Sequence, residues 1–189
     1  MLDPDLDSDH GSIREAGSDS WIFTPKKDFN GEVSFSYGVS DGSLTTAATV
    51  PLTITAVNDA PVVSGAVDLG AIDEDGSIGI RKKQLLSEAS DVDGDALSIT
   101  NLRVSEGDGA LKENGDRGWI FTPSSDWNGD VSFSYGVSDG SLTAEATASL
   151  TIAAVNDAPV LSGTPVALPN GREDETYLLK ASYLLQGYS

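Results

Sequence analysis

The stretch VSFSYGVSDGSLTAEATASLTIA, residues 131–153, decides the fold. Val131, Phe133, Tyr135 and Val137 alternate with Ser132, Ser134, Gly136 and Ser138. A period of two places one set of side chains on each face of an extended strand, apolar on one and small or polar on the other. Asp139-Gly140 marks a hairpin turn, and the chain returns through 142–154 with Leu142, Ala146, Ala148, Leu150 and Ile152 on one face. Working outward, further short strands are expected over 62–69, 77–82, 96–104, 110–113 and 117–122, while KKQLLSEAS (82–90) has the character of a helical turn. About seven short strands with turns every 8–12 residues predict an all-β chain, a seven-stranded antiparallel Greek-key β-sandwich. Trp119, Phe121, Trp127, Phe133 and Tyr135 then read as core or core-edge residues, not as a ligand platform.

The same pattern occurs twice. Residues 21–62 recur at 119–160, an offset of 98, with 33 of 42 positions identical. So long a period denotes a tandem array of domains, because solenoid repeats run ~20–50 residues. A further start follows, since 172–189 echo 74–90 with Leu184-Leu185 standing for Leu85-Leu86. The expected organisation is the C-terminal part of one repeat over 1–57, a complete repeat over 58–156 and the N-terminal part of the next over 157–189. The first part opens with Asp3, Asp5 and Asp7, a run like Asp91-Val92-Asp93-Gly94-Asp95. Partial repeats expose apolar faces and strand edges. Two outcomes are open: loosely packed halves, or strand complementation in which the last part of one chain completes the first part of another.

The 189 residues carry 30 acidic and 11 basic side chains, a net charge of −19. Such a surface repels phosphate backbones and anionic lipid, which argues against nucleic acid and membrane partners. Hydrophobic residues make up 39% and fall in periodic runs, unlike those of disordered chains. Cysteine is absent, which excludes disulfides, thiol chemistry and Cys-ligated zinc. No run approaches the ~18 apolar residues of a membrane helix. No signal peptide follows Met1, so the expectation is either export by a signal elsewhere in a longer parent or a cut fragment. The single histidine, His10, maps onto Asp108 of the other copy and reads as a solvated loop residue. Catalysis therefore has no polar constellation to use, and no enzyme is expected.

Acids form the one chemically specific pattern. Successive strands of a sandwich reverse direction, so its loops alternate between two ends. Asp91, Asp93, Asp95 and the hairpin Asp139 are expected at one end of the complete repeat, facing Asp28, Asn30, Asn58 and Asp59 across the linker 57–61. Glu74, Asp75, Asp126, Asn128, Asn156 and Asp157 are expected at the other end. Calcium takes six to eight oxygens at ~2.3–2.6 Å from carboxylates, amides and carbonyls, and without a cation clustered carboxylates repel. An EF-hand is excluded because its twelfth position falls on Leu102. The bland alternative is that these acids solubilise loops, with Asp41-Gly42 and Asp139-Gly140 forming type I′ turns.

The linker Val-Asn-Asp-Ala-Pro, the DVDGD loop and TPSSDWNG before a Phe-Ser-Tyr strand resemble the bacterial cadherin-like tandem repeats of large surface adhesins, including RTX-type ones. That resemblance implies a calcium-rigidified rod with ions at the domain junctions. Asp91 and Asp93 match its Asp-x-Asp ligands, and Asn58-Asp59 and Asn156-Asp157 match the linker's Asn-Asp. Glu74 and Glu173 match the first-strand glutamate. Asp28 and Asp126 match a further aspartate, with Asn30 and Asn128 where a glutamate belongs. Ala56, Ala154, Ala60 and Ala158 replace outer linker ligands, so one or two Ca2+ per junction are implied instead of three. The first junction, with ligands on both sides, is expected to bind more tightly than the second.

The function so implied is an extender repeat of a secreted or surface-attached adhesin that supports cell adhesion or biofilm formation. The alternative is a carbohydrate-binding or homophilic module in its own right. Expected partners are neighbouring repeats, with like domains of another chain or surface carbohydrate in the alternative. The expected location is extracellular.

Overall fold

β1 (Gly11–Gly17) and β2 (Ser20–Pro25) pair antiparallel, as do β3 (Gly31–Ser40) and β4 (Thr45–Ile54). The complete repeat follows with β5 (Val62–Val63), β6 (Val67–Asp73), β7 (Ile78–Ile80), the single-turn helix α1 (Lys82–Leu85) and β8 (Ala89–Ser90). It continues through β9 (Ser98–Glu106), β10 (Gly109–Glu113), β11 (Trp119–Pro123), β12 (Gly129–Ser138) and β13 (Thr143–Ala153). A second helical turn, α2, spans Ala181–Leu184. The structure, a computed structural model, describes residues 10–17, 20–159, 167, 168 and 170–185. The Asp3, Asp5, Asp7 run and residues 186–189 lie outside that set.

The chain is nearly all β with antiparallel sheets, and the complete repeat has two principal sheets. One has the order β6-β13-β12-β9 and the other β10-β11-β7, with β5 and β8 forming a separate pair. Alternation accounts for the core. Val131, Phe133, Tyr135 and Val137 of β12 are at most 1% exposed, and so is Phe121 of β11. Phe133 stands opposite Ala148 and Tyr135 opposite Ala146, so small residues on β13 leave space for the rings of β12. Phe121 of the facing sheet meets Phe133 edge-on at 5.2 Å, the favoured aromatic geometry. Phe23 and Phe35 repeat this contact at 5.2 Å in the first repeat. Burial of each such side chain contributes roughly 1.5–3 kcal/mol.

Two features differ from the sequence reading. The strand expected over 62–69 is broken at residues 64–66: β5 pairs with β8, whereas β6 pairs in parallel with β13. One segment thereby serves two sheets. The strand expected over 77–82 ends at Ile80 and gives way to α1, whose Leu85 is 1% exposed beneath the β-sheets. The Leu85 carbonyl accepts a hydrogen bond of 2.8 Å from the Tyr135 hydroxyl, which ties helix to sheet.

Among the described residues β3 and β4 pair only with one another, and apolar residues that would face a core show it. Val39 is 58% and Leu52 42% exposed, whereas their counterparts Val137 and Leu150 are at most 1% exposed. Among the described residues nothing takes the place of β6 and β9 beside β4 and β3. Leu184 and Leu185 are likewise exposed, unlike Leu85.

Candidate metal centre

The loop after β8 gathers three carboxylates because Asp91 caps it. Asp91 Oδ1 accepts the Asp93 N–H at 2.9 Å and the Asp95 N–H at 3.2 Å, an Asx turn. Gly94, at φ +80°, gives the loop the left-handed residue it needs. Carboxylate oxygens of Asp91, Asp93 and Asp95 all lie within 4.8 Å of one another. Asp91 Oδ2 is buried and accepts no hydrogen bond.

The linker binds to this loop and to the neighbouring hairpin. The Asp59 N–H donates to Asp93 Oδ2 at 2.8 Å, and Asn58 Nδ2 donates to Asp139 Oδ2 at 2.9 Å. A cavity of about 250 Å³ opens between the linker and the previous repeat, lined in part by Asp28, Asn30, Asp59 and Asp93. Asp139 Oδ1 also caps its own turn by accepting the Ser141 N–H (2.6 Å) and the Leu142 N–H (2.7 Å). The Leu142 N–H, then Asn58 and then the Ser141 N–H hold the Asp139 carboxyl below its ordinary value. In this hairpin and in the one at Asp41 only the glycine has positive φ, so neither is the type I′ turn that requires two such residues.

The second group forms around Glu74, which is 4% exposed. Its Oε1 accepts the Val155 N–H at 2.6 Å, while its own N–H donates to the Ala153 carbonyl at 3.1 Å. The linker after β13 is thus clasped to the turn after β6. Burial, followed by the charges of Asp126, Asp75 and Glu74, pushes the Asp157 carboxyl up, so these four acids crowd one end of the repeat. Asp126 and its counterpart Asp28 both adopt left-handed backbone, at φ +57° and +60°. Asn156 Nδ2 turns to the adjacent Asp157 carbonyl at 3.3 Å, as Asn58 Nδ2 also does to Asp59 at 3.2 Å. Asn128 is exposed beside Asp126 in sequence. Glu173 is exposed, and among the described residues no hydrogen bond joins it to either group.

Two residues were not read correctly from sequence. His10 is not a freely solvated loop residue: its ring packs edge-on against Phe29 at 4.9 Å. Lys27 was missed, although its Nζ lies 2.7 Å from Asp28 Oδ2 at the rim of the first group. The signal was present as two lysines where the other copy has Ser124-Ser125.

Both groups offer oxygen donors alone, and the first has a buried carboxylate oxygen with no protein partner. That chemistry fits a hard divalent cation such as calcium.

A family model described as the cadherin-like domain matches residues 4–55 and 57–153. No curated protein matches the chain. Among solved structures, the extracellular cadherin domains 1–5 of protocadherin gamma B2 are similar over 82% of this chain and 34% of theirs, with 16% identity and a TM-score of 0.51. That likeness shows the fold. An endo-fucoidan hydrolase from glycoside hydrolase family 107 is similar over 87% of this chain and 26% of its own, with 24% identity. Its TM-score of 0.40 carries no argument. The chain spans about a quarter to a third of these structures' length. Among the described residues no helix is long and apolar enough to cross a membrane.

Proposed function

The chain belongs to the cadherin-like domain family, and on that premise we propose that it is a non-catalytic extender segment of an extracellular bacterial adhesin of the RTX type, stiffened by calcium at its repeat junctions and supporting adhesion or biofilm formation. The observation that carries this reading is the orphaned Asp91 Oδ2, set in a carboxylate loop that the linker already grips through Asp59, while Asn58 holds the neighbouring hairpin at Asp139.

At the first junction Asp91, Asp93, Asp95 and Asp139 face Asp28, Asn30, Asn58 and Asp59. At the second, Glu74, Asp75, Asp126, Asn128, Asn156 and Asp157 supply one side, whereas Glu173 stands where Glu74 does and so serves the far end of the following repeat. Bound calcium would supply the positive charge that lets these carboxylates remain close together. The chain's own residues then fix the angle between repeats. Asp59 and Asn58 latch the linker to the repeat that follows, and Glu74 latches it to the repeat that precedes. A jointed string becomes a rod that holds a distal binding region away from the surface.

Calorimetric titration with calcium tests the reading. Extracellular calcium modules bind with Kd of ~10⁻⁴–10⁻³ M, and heat in that range is expected, with Asp93→Ala removing most of the first junction's share. Absence of heat across that range would refute the proposal.

A further inference from the structure

Most of the nine differences between the duplicated stretches leave charge at the junctions unchanged, but one pair does not. Lys26-Lys27 precede Asp28, whereas Ser124-Ser125 precede Asp126. The Lys27 ammonium sits 2.7 Å from Asp28 Oδ2, and the Asp28 side chain, 26% exposed, lines the junction cavity together with Asp59 and Asp93. Among the described residues no lysine or arginine forms the corresponding ion pair with Asp126. Ser125 is neutral, and Asp157 is left among the charges of Asp126, Asp75 and Glu74. The two junctions therefore treat the same crowding of acids differently.

Resting on the calcium reading above, we propose that Lys27 is a tethered counter-ion that competes with calcium for Asp28, lowering the affinity of the first junction while offsetting part of its negative charge when calcium is scarce. The lysine side chain is 87% exposed, so it can swing into solvent when Asp28 turns to a metal. The competition is then limited to the strength of an exposed ion pair, a factor of up to about five in affinity. Ligand counting alone ranks the first junction as the tighter; Lys27 acts against that ranking.

The reciprocal substitutions Lys27→Ser and Ser125→Lys test the idea, since each places at one copy what the other already accommodates. Calcium affinity is measured by calorimetry on the full chain, with the other junction silenced by Asp157→Ala or Asp93→Ala. Melting in EGTA is followed in parallel. Lys27→Ser is expected to tighten the first junction roughly two- to five-fold and to lower its melting temperature in EGTA, while Ser125→Lys weakens the second junction to a similar degree. Calcium binding with affinities unchanged by both substitutions overturns the role of Lys27 and leaves the junction reading standing. No calcium heat in any variant overturns the junction reading and the competition with it.

Discussion

Tyr135 shows how one polar atom can be committed inside a hydrophobic core. Its ring is 1% exposed, its hydroxyl donates to the Leu85 carbonyl at 2.8 Å, and burial raises the phenol above its ordinary value. Tyr135→Phe keeps the ring but strands the carbonyl, so unfolding in urea should show a loss of about 1–3 kcal/mol. The acids behave differently. Asp157 is crowded by Asp126, Asp75 and Glu74, so Asp157→Asn is expected to raise the melting temperature in EGTA and to weaken calcium binding. Opposite signs identify a cation site, whereas a loss in both measurements would mark Asp157 as merely structural. Asp41 and Asp139 cap their hairpins, principally through the N–H groups of Leu44 and Leu142, and both carboxyls are lowered. A lowered carboxyl contributes stability above the ordinary carboxylate range and loses it as pH falls through the depressed value. Melting in EGTA should therefore decline below about pH 4, and Asp41→Asn with Asp139→Asn should flatten that decline. The spacing of Asp91, Asp93 and Asp95 was legible because i, i+2, i+4 acids around a glycine need only a local turn. The Lys27–Asp28 contact left only the exchange of two serines for two lysines as its mark, and a lysine beside an aspartate in sequence does not show that the two side chains turn to one another.

Elements whose pattern is local were the most readable. β12 spans 129–138 and β13 spans 143–153, within two residues of the alternating runs that announce them. β6 was harder. Its pairing in parallel with β13 joins residues some eighty positions apart, and a period-2 pattern says which residues face inward but not which strand lies alongside. The break between β5 and β6 has the same origin, since sharing one segment between two sheets is a tertiary arrangement. α1 was half legible. KKQLL has helical residues, yet only the structure shows that Leu85 fills the core while Gln84 Oε1 accepts the Arg81 N–H at 3.0 Å. Leu85→Ala should cost about 2–5 kcal/mol, measured as a lower urea midpoint with the slope of the transition unchanged. A cost below 1 kcal/mol would mean that the helical turn rests on the sandwich without supporting it.

At the scale of the whole molecule, calcium should alter shape more than stability. With Kd of ~10⁻⁴–10⁻³ M and about 1 mM calcium, linkage gives only ~0.4–1.4 kcal/mol per site, a modest rise in melting temperature. The latches are few: Asp59 to Asp93 and Asn58 to Asp139 on one side of the complete repeat, and Glu74 to Val155 on the other. Each is a single hydrogen bond to a carboxylate, which contributes about 1.5–3 kcal/mol at most, too little to fix a hinge against acidic repulsion in a chain of net charge −19. Neutralising the junction carboxylates removes that repulsion and adds ligand bonds spanning both sides of the linker. Small-angle scattering should therefore show a longer maximum dimension in excess calcium than in EGTA, with Asp93→Ala remaining at the EGTA value in both. Magnesium, smaller and reluctant to dehydrate, should not substitute at equal concentration. Equal dimensions for the unsubstituted chain in calcium and in EGTA would show that the hydrogen-bonded latches already hold the repeats rigid, and stiffening would then belong to the fold and not to the ion.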